Sequence, residues 1–294
     1  MSLKDAISEV SEGFDGVLGV SIKHLDTEEN AGIRGRTIFP TASVFKVPVI
    51  VEYFRQKDAG KLNPDEVHYL TDADKVPGSG ILKELTEGMP VAYRDLLHLM
   101  MMVSDNTATD LIAAKVGFDN VNEAMRSLGL RKTSVTRYCR EILFDLVGIN
   151  DLGIEEMTLD VFKEAAESGE YVGSWSLGVE DNDVSTPDEM TKLLGLIVDG
   201  KAASRGSCDE ILTIMGKCQT GTYRIPKYLP GKALVLQRKT GSLPGIRNDV
   251  GVVTIKKTGE KYAITCFTKE ANDVYAAEEA IAQVSLKAYD YFTR

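Results

Sequence analysis

Strand-like runs stand at the two ends of this 294-residue chain, and helical patterns fill the space between them. Near the N-terminus, 16–24 (GVLGVSIKH) and 31–38 (AGIRGRTI) flank the polar turn at 26–30 and predict a hairpin. Near the C-terminus, 233–238, 250–256 and 261–268 read as strands, and 272–291 as a closing amphipathic helix. Together the runs predict one sheet completed by both termini. The expected fold is α/β of the α+β type: an antiparallel sheet flanked by helices, with an all-α subdomain inserted. The expected division is 1–42 plus 205–294 for the α/β part and 43–204 for the helical insert, which includes a long acidic Ω-like loop at 137–185.

Within the insert, 43–57 is apolar nearly all round at first and then amphipathic, as suits a buried helix. Pro48 lies early in it, where a missing N–H does least harm. Residues 94–103 form a second apolar helix pattern, stopped by Ser104-Asp105-Asn106. Residues 107–116 and 120–128 follow, each closed by a glycine (117 and 129). Thr186-Pro187 opens a further helix through 198, and 209–218 is helical as well.

Three short motifs occur in order: Ser43-Val44-Phe45-Lys46, Ser104-Asp105-Asn106 and Lys239-Thr240-Gly241. A serine hydroxyl is a poor nucleophile until a neighbouring base takes its proton. Residues three apart share a helix face, so Lys46 can reach Ser43 Oγ. A lysine serves as base only when its pKa falls, through desolvation or a nearby cation. Val44, Phe45, Val47 and Val49 supply apolar surroundings, and Lys239 a second positive charge. Ser43 at a helix start would also have exposed N–H groups that favour an oxyanion. The bland reading of the first motif is a buried helix start with a snorkelling lysine, and that of the second a helix cap. A second Lys-Thr-Gly, 257–259, lies between two strand-like runs and reads as a hairpin turn.

The three motifs in this order resemble those of the class A β-lactamases, within the serine hydrolases related to penicillin-binding proteins. The resemblance covers nearly the whole chain. Pro77-Gly78-Ser79-Gly80, Thr186-Pro187 and Gly241-Ser242-Leu243-Pro244-Gly245 are similar to β-lactamase-like members too. It implies that Ser43 is the acylated nucleophile, Lys46 its base, Ser104 a proton relay and Asn106 a substrate ligand. Lys239 and Thr240 would anchor a substrate carboxylate, with Arg247 adding to that anchor and Gly241 allowing close approach. The oxyanion donors would be the backbone N–H groups of Ser43 and Ser242. Residues 231–261 carry seven basic and two acidic groups, which suits an anionic ligand moiety.

The departure lies in the acidic stretch. Residues 141–185 hold twelve acidic side chains and one basic one, whereas the whole chain has a net charge of −10. Class A enzymes close a loop below the site with the pattern E-x-x-L-N, whose glutamate activates the deacylating water; no E-x-x-L-N occurs here. By resemblance, Val135-Thr136-Arg137 and Arg140 begin that loop and Asp183 ends it, so an Arg140–Asp183 ion pair is expected to close it. The glutamate position falls near Ile142, with Glu141 beside it as the weakest candidate for a deacylation base. One residue along an extended chain reverses side-chain direction. Tyr171 and Trp175, in the same stretch, read as packing anchors or as a stacking surface. These features predict acylation at Ser43, followed by slow deacylation or deacylation through an unusual water activator. Rival readings on the same scaffold are a D,D-peptidase, an esterase or a small-amide hydrolase. A rival of another class is a sensor that acylates once.

Other classes are excluded by composition. A pI near 5.0 argues against nucleic acid as partner. No run approaches a membrane span. No phosphate or dinucleotide loop, C-x-x-C pair or H-E-x-x-H occurs, so neither cofactor nor metal is expected. The expected partner is a small carboxylate-bearing substrate; the sequence sets no oligomeric state. The opening MSLKDAISEV has no apolar signal core, so the sequence as written reads as cytoplasmic, and a preceding leader would make it extracytoplasmic.

Overall fold

The structure is a computed structural model that describes residues 2–149, 151–167 and 182–294. The chain runs through α1 (Leu3–Glu12), β1 (Val17–His24), β2 (Asn30–Ile33) and β3 (Phe39–Pro40) to a 3₁₀ turn, Ala42–Phe45. Then come α2 (Lys46–Asp58), β4 (Val67–Tyr69), β5 (Pro90–Ala92), α3 (Tyr93–Met102), α4 (Asn106–Val116) and α5 (Phe118–Ser127). They are followed by α6 (Cys139–Leu146), α7 (Leu159–Glu167), β6 (Val184–Ser185), α8 (Pro187–Val198) and α9 (Arg205–Met215). β7 (Leu234–Leu243), β8 (Ile246–Ile255), β9 (Lys261–Lys269) and α10 (Val274–Phe292) close the chain.

Five strands form one antiparallel sheet in the order β2-β1-β9-β8-β7. The pairing of β1 with β9, from Val17↔Lys269 to His24↔Tyr262, is the seam where the two ends of the chain meet. Side chains alternate across each strand. Val250, Val252, Ala263 and Phe267 face a core shared with α2, α3, α8 and α9. Val253, Ile255, Ile264 and Cys266 face the other way, under α1 and α10 through Leu3, Ile7, Ile281 and Val284. The α+β class and the sheet built from both termini are thus as the strand pattern requires.

Three local outcomes differ from the sequence reading. Helix α1 was not anticipated, although Ser2 and Asp5 form a reciprocal capping box at its start. Strand β2 ends at Ile33, because Arg34 turns into the left-handed region (φ 49°). Strand β7 runs on through Lys239-Thr240-Gly241 to Leu243, so the motif lies within a strand. The second Lys-Thr-Gly, 257–259, sits in the β8–β9 turn, with Gly259 at φ 80°. Tyr171 and Trp175 lie outside the described residues. Among the described residues no helix is long and apolar enough to cross a membrane.

Candidate active site

Ser43 lies in the 3₁₀ turn rather than in an α-helix, and α2 follows directly. Residues three apart eclipse in a 3₁₀ turn, so Ser43 and Lys46 project on one side. Ala42, just before the serine, has φ 44°, a strained backbone for a residue with a Cβ. Several contacts hold that strain. Thr41 donates to the Asp183 carbonyl through N (2.8 Å) and Oγ1 (3.0 Å). Buried Asn248, on β8, donates to the carbonyls of Pro40 (2.9 Å) and Thr41 (3.0 Å). A Cβ on Gly241 would stand 2.5 Å from Thr41 O and 3.2 Å from Ser43 N. The glycine therefore lets β7 close on the turn that carries Ser43.

Lys46 and Lys239 are both fully buried and converge on Ser104. Lys46 Nζ donates to Ser104 O (2.8 Å), Ser104 Oγ (3.0 Å) and Asn106 Oδ1 (2.9 Å). Lys239 Nζ donates to the same Ser104 Oγ (3.0 Å) and to Thr240 O (2.7 Å). The three bonds of Lys46 use all three protons of an ammonium. Its hydrogen bonds thus run to Ser104 and Asn106. Burial lowers the Lys46 pKa, against the pull of Cys139, Asp110 and Asp105. Burial first, and the charge of Lys46 second, bring Lys239 down to about 7. The sequence reading had Lys239 acting on Lys46; the two ammonium groups meet at one hydroxyl, and the repulsion between them is mutual.

Ser104 is itself left-handed (φ 58°), and its neighbours fix it. Asp105 caps α4 at Ala108 N (2.9 Å) and accepts from Ile81 N (2.6 Å) and Leu82 N (2.9 Å). Ser79 Oγ donates to Ser104 O (2.8 Å), and Asn106 Nδ2 donates to Pro77 O (2.9 Å). So Ser104-Asp105-Asn106 is a helix cap and part of the lysine network at once, and the 77–80 loop is clamped against it.

These groups surround a pocket of about 230 Å³. Ser43, Ser104, Asn106, Thr240 and Ser242 line it with Thr220, and Phe45, Ile142, Leu143 and Leu243 supply apolar wall. A larger groove, about 1000 Å³, lies between β1–β2 and α8 and holds none of the motif residues. Among the described residues no cluster of His, Cys, Asp or Glu is arranged to hold a metal ion.

Three expected roles are corrected. Arg140 does not pair with Asp183. Its guanidinium donates to the carbonyls of Ala73 (2.6 Å), Lys75 (3.4 Å) and Ile154 (3.2 Å). Asp183 instead accepts from the backbone N–H groups of Thr136 (2.7 Å) and Arg137 (3.1 Å), and among the described residues its Oδ2 has no hydrogen-bond partner. Burial pushes it up to about 7. Glu141 does not line the pocket; its carboxylate caps its own helix at Tyr138 N (2.7 Å). Arg247 does not line the pocket; it donates to Leu243 O (3.0 Å) and Ile246 O (2.7 Å), and its Nε lies 3.6 Å from Glu278.

Arg224 was missed. It is buried beneath the Ser242 end of β7 and donates to Ser242 Oγ (2.6 Å), Gly241 O (3.0 Å) and Asn248 O (2.8 Å). Thr220 Oγ1 lies 2.5 Å from Thr240 Oγ1. The only signal for either was the Gln219-Thr220-Gly221 turn run between a helix and a strand, which names no partner.

A sequence model of the beta-lactamase enzyme family matches residues 2–292. The chain is 22% identical to beta-lactamase BRO-1 of Moraxella catarrhalis, over 98% of this chain and 84% of that one. Its fold is similar to that of a beta-lactamase from Sphaerobacter thermophilus, with a TM-score of 0.81, 29% identity and 99% and 97% of the two chains covered. A beta-lactamase from Chitinophaga pinensis gives a TM-score of 0.81 at 26% identity, over 99% of each chain.

Proposed function

The chain belongs to the beta-lactamase enzyme family, and from that premise we propose that it opens a β-lactam or related cyclic amide by transferring the acyl group to Ser43 and releases it slowly. The observation that carries the reading is the convergence of Lys46 and Lys239 on one hydroxyl, Ser104 Oγ, 3.0 Å from each. Neutral Lys46 takes the proton of Ser43 as Oγ attacks the amide carbonyl. The N–H groups of Ser43 and Ser242 receive the oxyanion. As the C–N bond breaks, the leaving nitrogen takes a proton through Ser104, and Lys46 and Lys239 restore it. Thr240 and Ser242 receive the substrate carboxylate, with the charges of Lys239 and Arg224 behind them.

Release of the acyl group needs an activated water. No carboxylate lines the pocket among the described residues, and Ile142 and Leu143 stand at its loop side. Without a positioned base the second step loses the 10²–10⁴-fold that such a group supplies. The test is incubation with a fluorescent penicillin, followed by peptide mass spectrometry. A covalent adduct on Ser43, absent in Ser43→Ala, is expected; no adduct on the native protein sinks the acylation claim.

A further inference from the structure

Resting on the acyl-transfer reading above, we infer that Asp110 is a positioning residue for Lys46: its carboxylate tunes the lysine's charge from a side that substrate does not cover, and the same oxygens anchor the α6 wall of the pocket. Asp110 lies one helical turn beyond Asn106 on α4, so the two share the face that meets Lys46. Asn106 touches Lys46 Nζ directly. Asp110 acts through charge, raising the lysine's proton affinity against the effect of burial. Its two oxygens accept from Cys139 N (2.8 Å) and Arg140 N (3.1 Å), two free donors at the start of α6. That helix carries Ile142 and Leu143 into the pocket.

Asp110 also lines a second cavity of about 470 Å³, with Tyr138 and Arg140, that is separate from the substrate pocket. Lys46 is sealed and Asp110 is not. Its proton therefore has a route to solvent on the side of that second cavity, away from the front pocket. Desolvation pushes its carboxyl up to about 6, against the two N–H donors and the charges of Arg140 and Lys46. The other charged or titratable groups around the pair are Lys239 on β7, Asp105 at the α4 cap, Cys139 and Tyr138 at α6, and Asp183 beside β6.

Acylation requires neutral Lys46. Removing the Asp110 charge lowers the lysine's pKa, so the acid limb of the acylation rate moves to lower pH. The experiment is the second-order rate of penicillin acylation from pH 4 to 9 for the native protein, Asp110→Asn and Asp110→Glu. The expected result is an acid limb about one pH unit lower in Asp110→Asn, the low end of a nearby charge's effect, and restored in Asp110→Glu. A uniform loss of rate with an unmoved limb overturns the inference, since it reports only the anchoring of α6. A second measurement needs neither an Asp110 variant nor acylation. Lysine labelled with ¹³C at Cε is titrated in the native protein, the Lys46 signal being assigned by its loss in Lys46→Arg. A titration step near that of Asp110 is expected, and its absence overturns the inference. Native protein that acylates at no pH refutes the acyl-transfer reading instead, while the lysine titration still decides the coupling.

Discussion

Ile142 and Glu141 differ by one position, and the difference decides what the pocket holds. Glu141 turns back to cap α6, while Ile142 faces the cavity that also holds Ser43. Ile142→Glu is expected to raise the deacylation rate at least about tenfold, within the range of a positioned general base. Decay of the penicillin adduct reads it, and an unchanged lifetime contradicts it. Asp183 makes a separate prediction. Its buried carboxyl is pushed up from 3.8 to about 7, so the native state holds a proton that the unfolded chain has lost over that window. The contribution to stability is therefore present at low pH and lost as pH rises through about 7. Asp183→Asn is expected to gain on the native protein, on the order of 1–3 kcal/mol, between pH 5 and pH 8. Urea unfolding at both pH values checks this; an equal difference at the two contradicts it. At this scale the motif residues were legible because their partners sit at short, fixed spacing. Arg224 and Asn248 were not, because what gives them meaning is a carbonyl on a distant turn or strand.

Among the elements, the 3₁₀ turn and β7 act as one device. Asn248 and Thr41 pin the turn, and Gly241 leaves the space in which β7 lies against it. Gly241→Ala places a Cβ 2.5 Å from Thr41 O, so the turn must shift. The acylation rate is expected to fall about 100-fold, the cost of misplacing a reacting group by about 1 Å, with the far-UV circular dichroism unchanged. A rate within twofold of native contradicts this. Apolar periodicity made α2, α3 and α8 readable, since each buries a continuous stripe. Helix α1 is short, with its buried side made by Leu3, Ala6 and Ile7, and its polar remainder hid it from a periodicity reading. The acidic stretch resisted for another reason: Arg140 and Asp183 each found backbone partners instead of each other. Charge complementarity in a sequence does not reveal such a choice.

For the whole molecule, the strand runs at the two ends carried most of the information. The β1–β9 seam brings the termini together, and α1 and α10 cover the sheet face opposite the helical core. Ile7 is fully buried there. Ile7→Ala is expected to cost about 2–4 kcal/mol in denaturant unfolding while leaving the acylation rate intact. A fall in that rate with stability unchanged would mean that this face feeds the site. The central claim is that acylation of Ser43 outpaces release. Stopped-flow turnover of a chromogenic cephalosporin tests it most directly. The account predicts a burst close to one equivalent per protein, then a much slower steady rate, with both phases lost in Ser43→Ala. Linear turnover from the first instant, or a reaction that persists in Ser43→Ala, would contradict it.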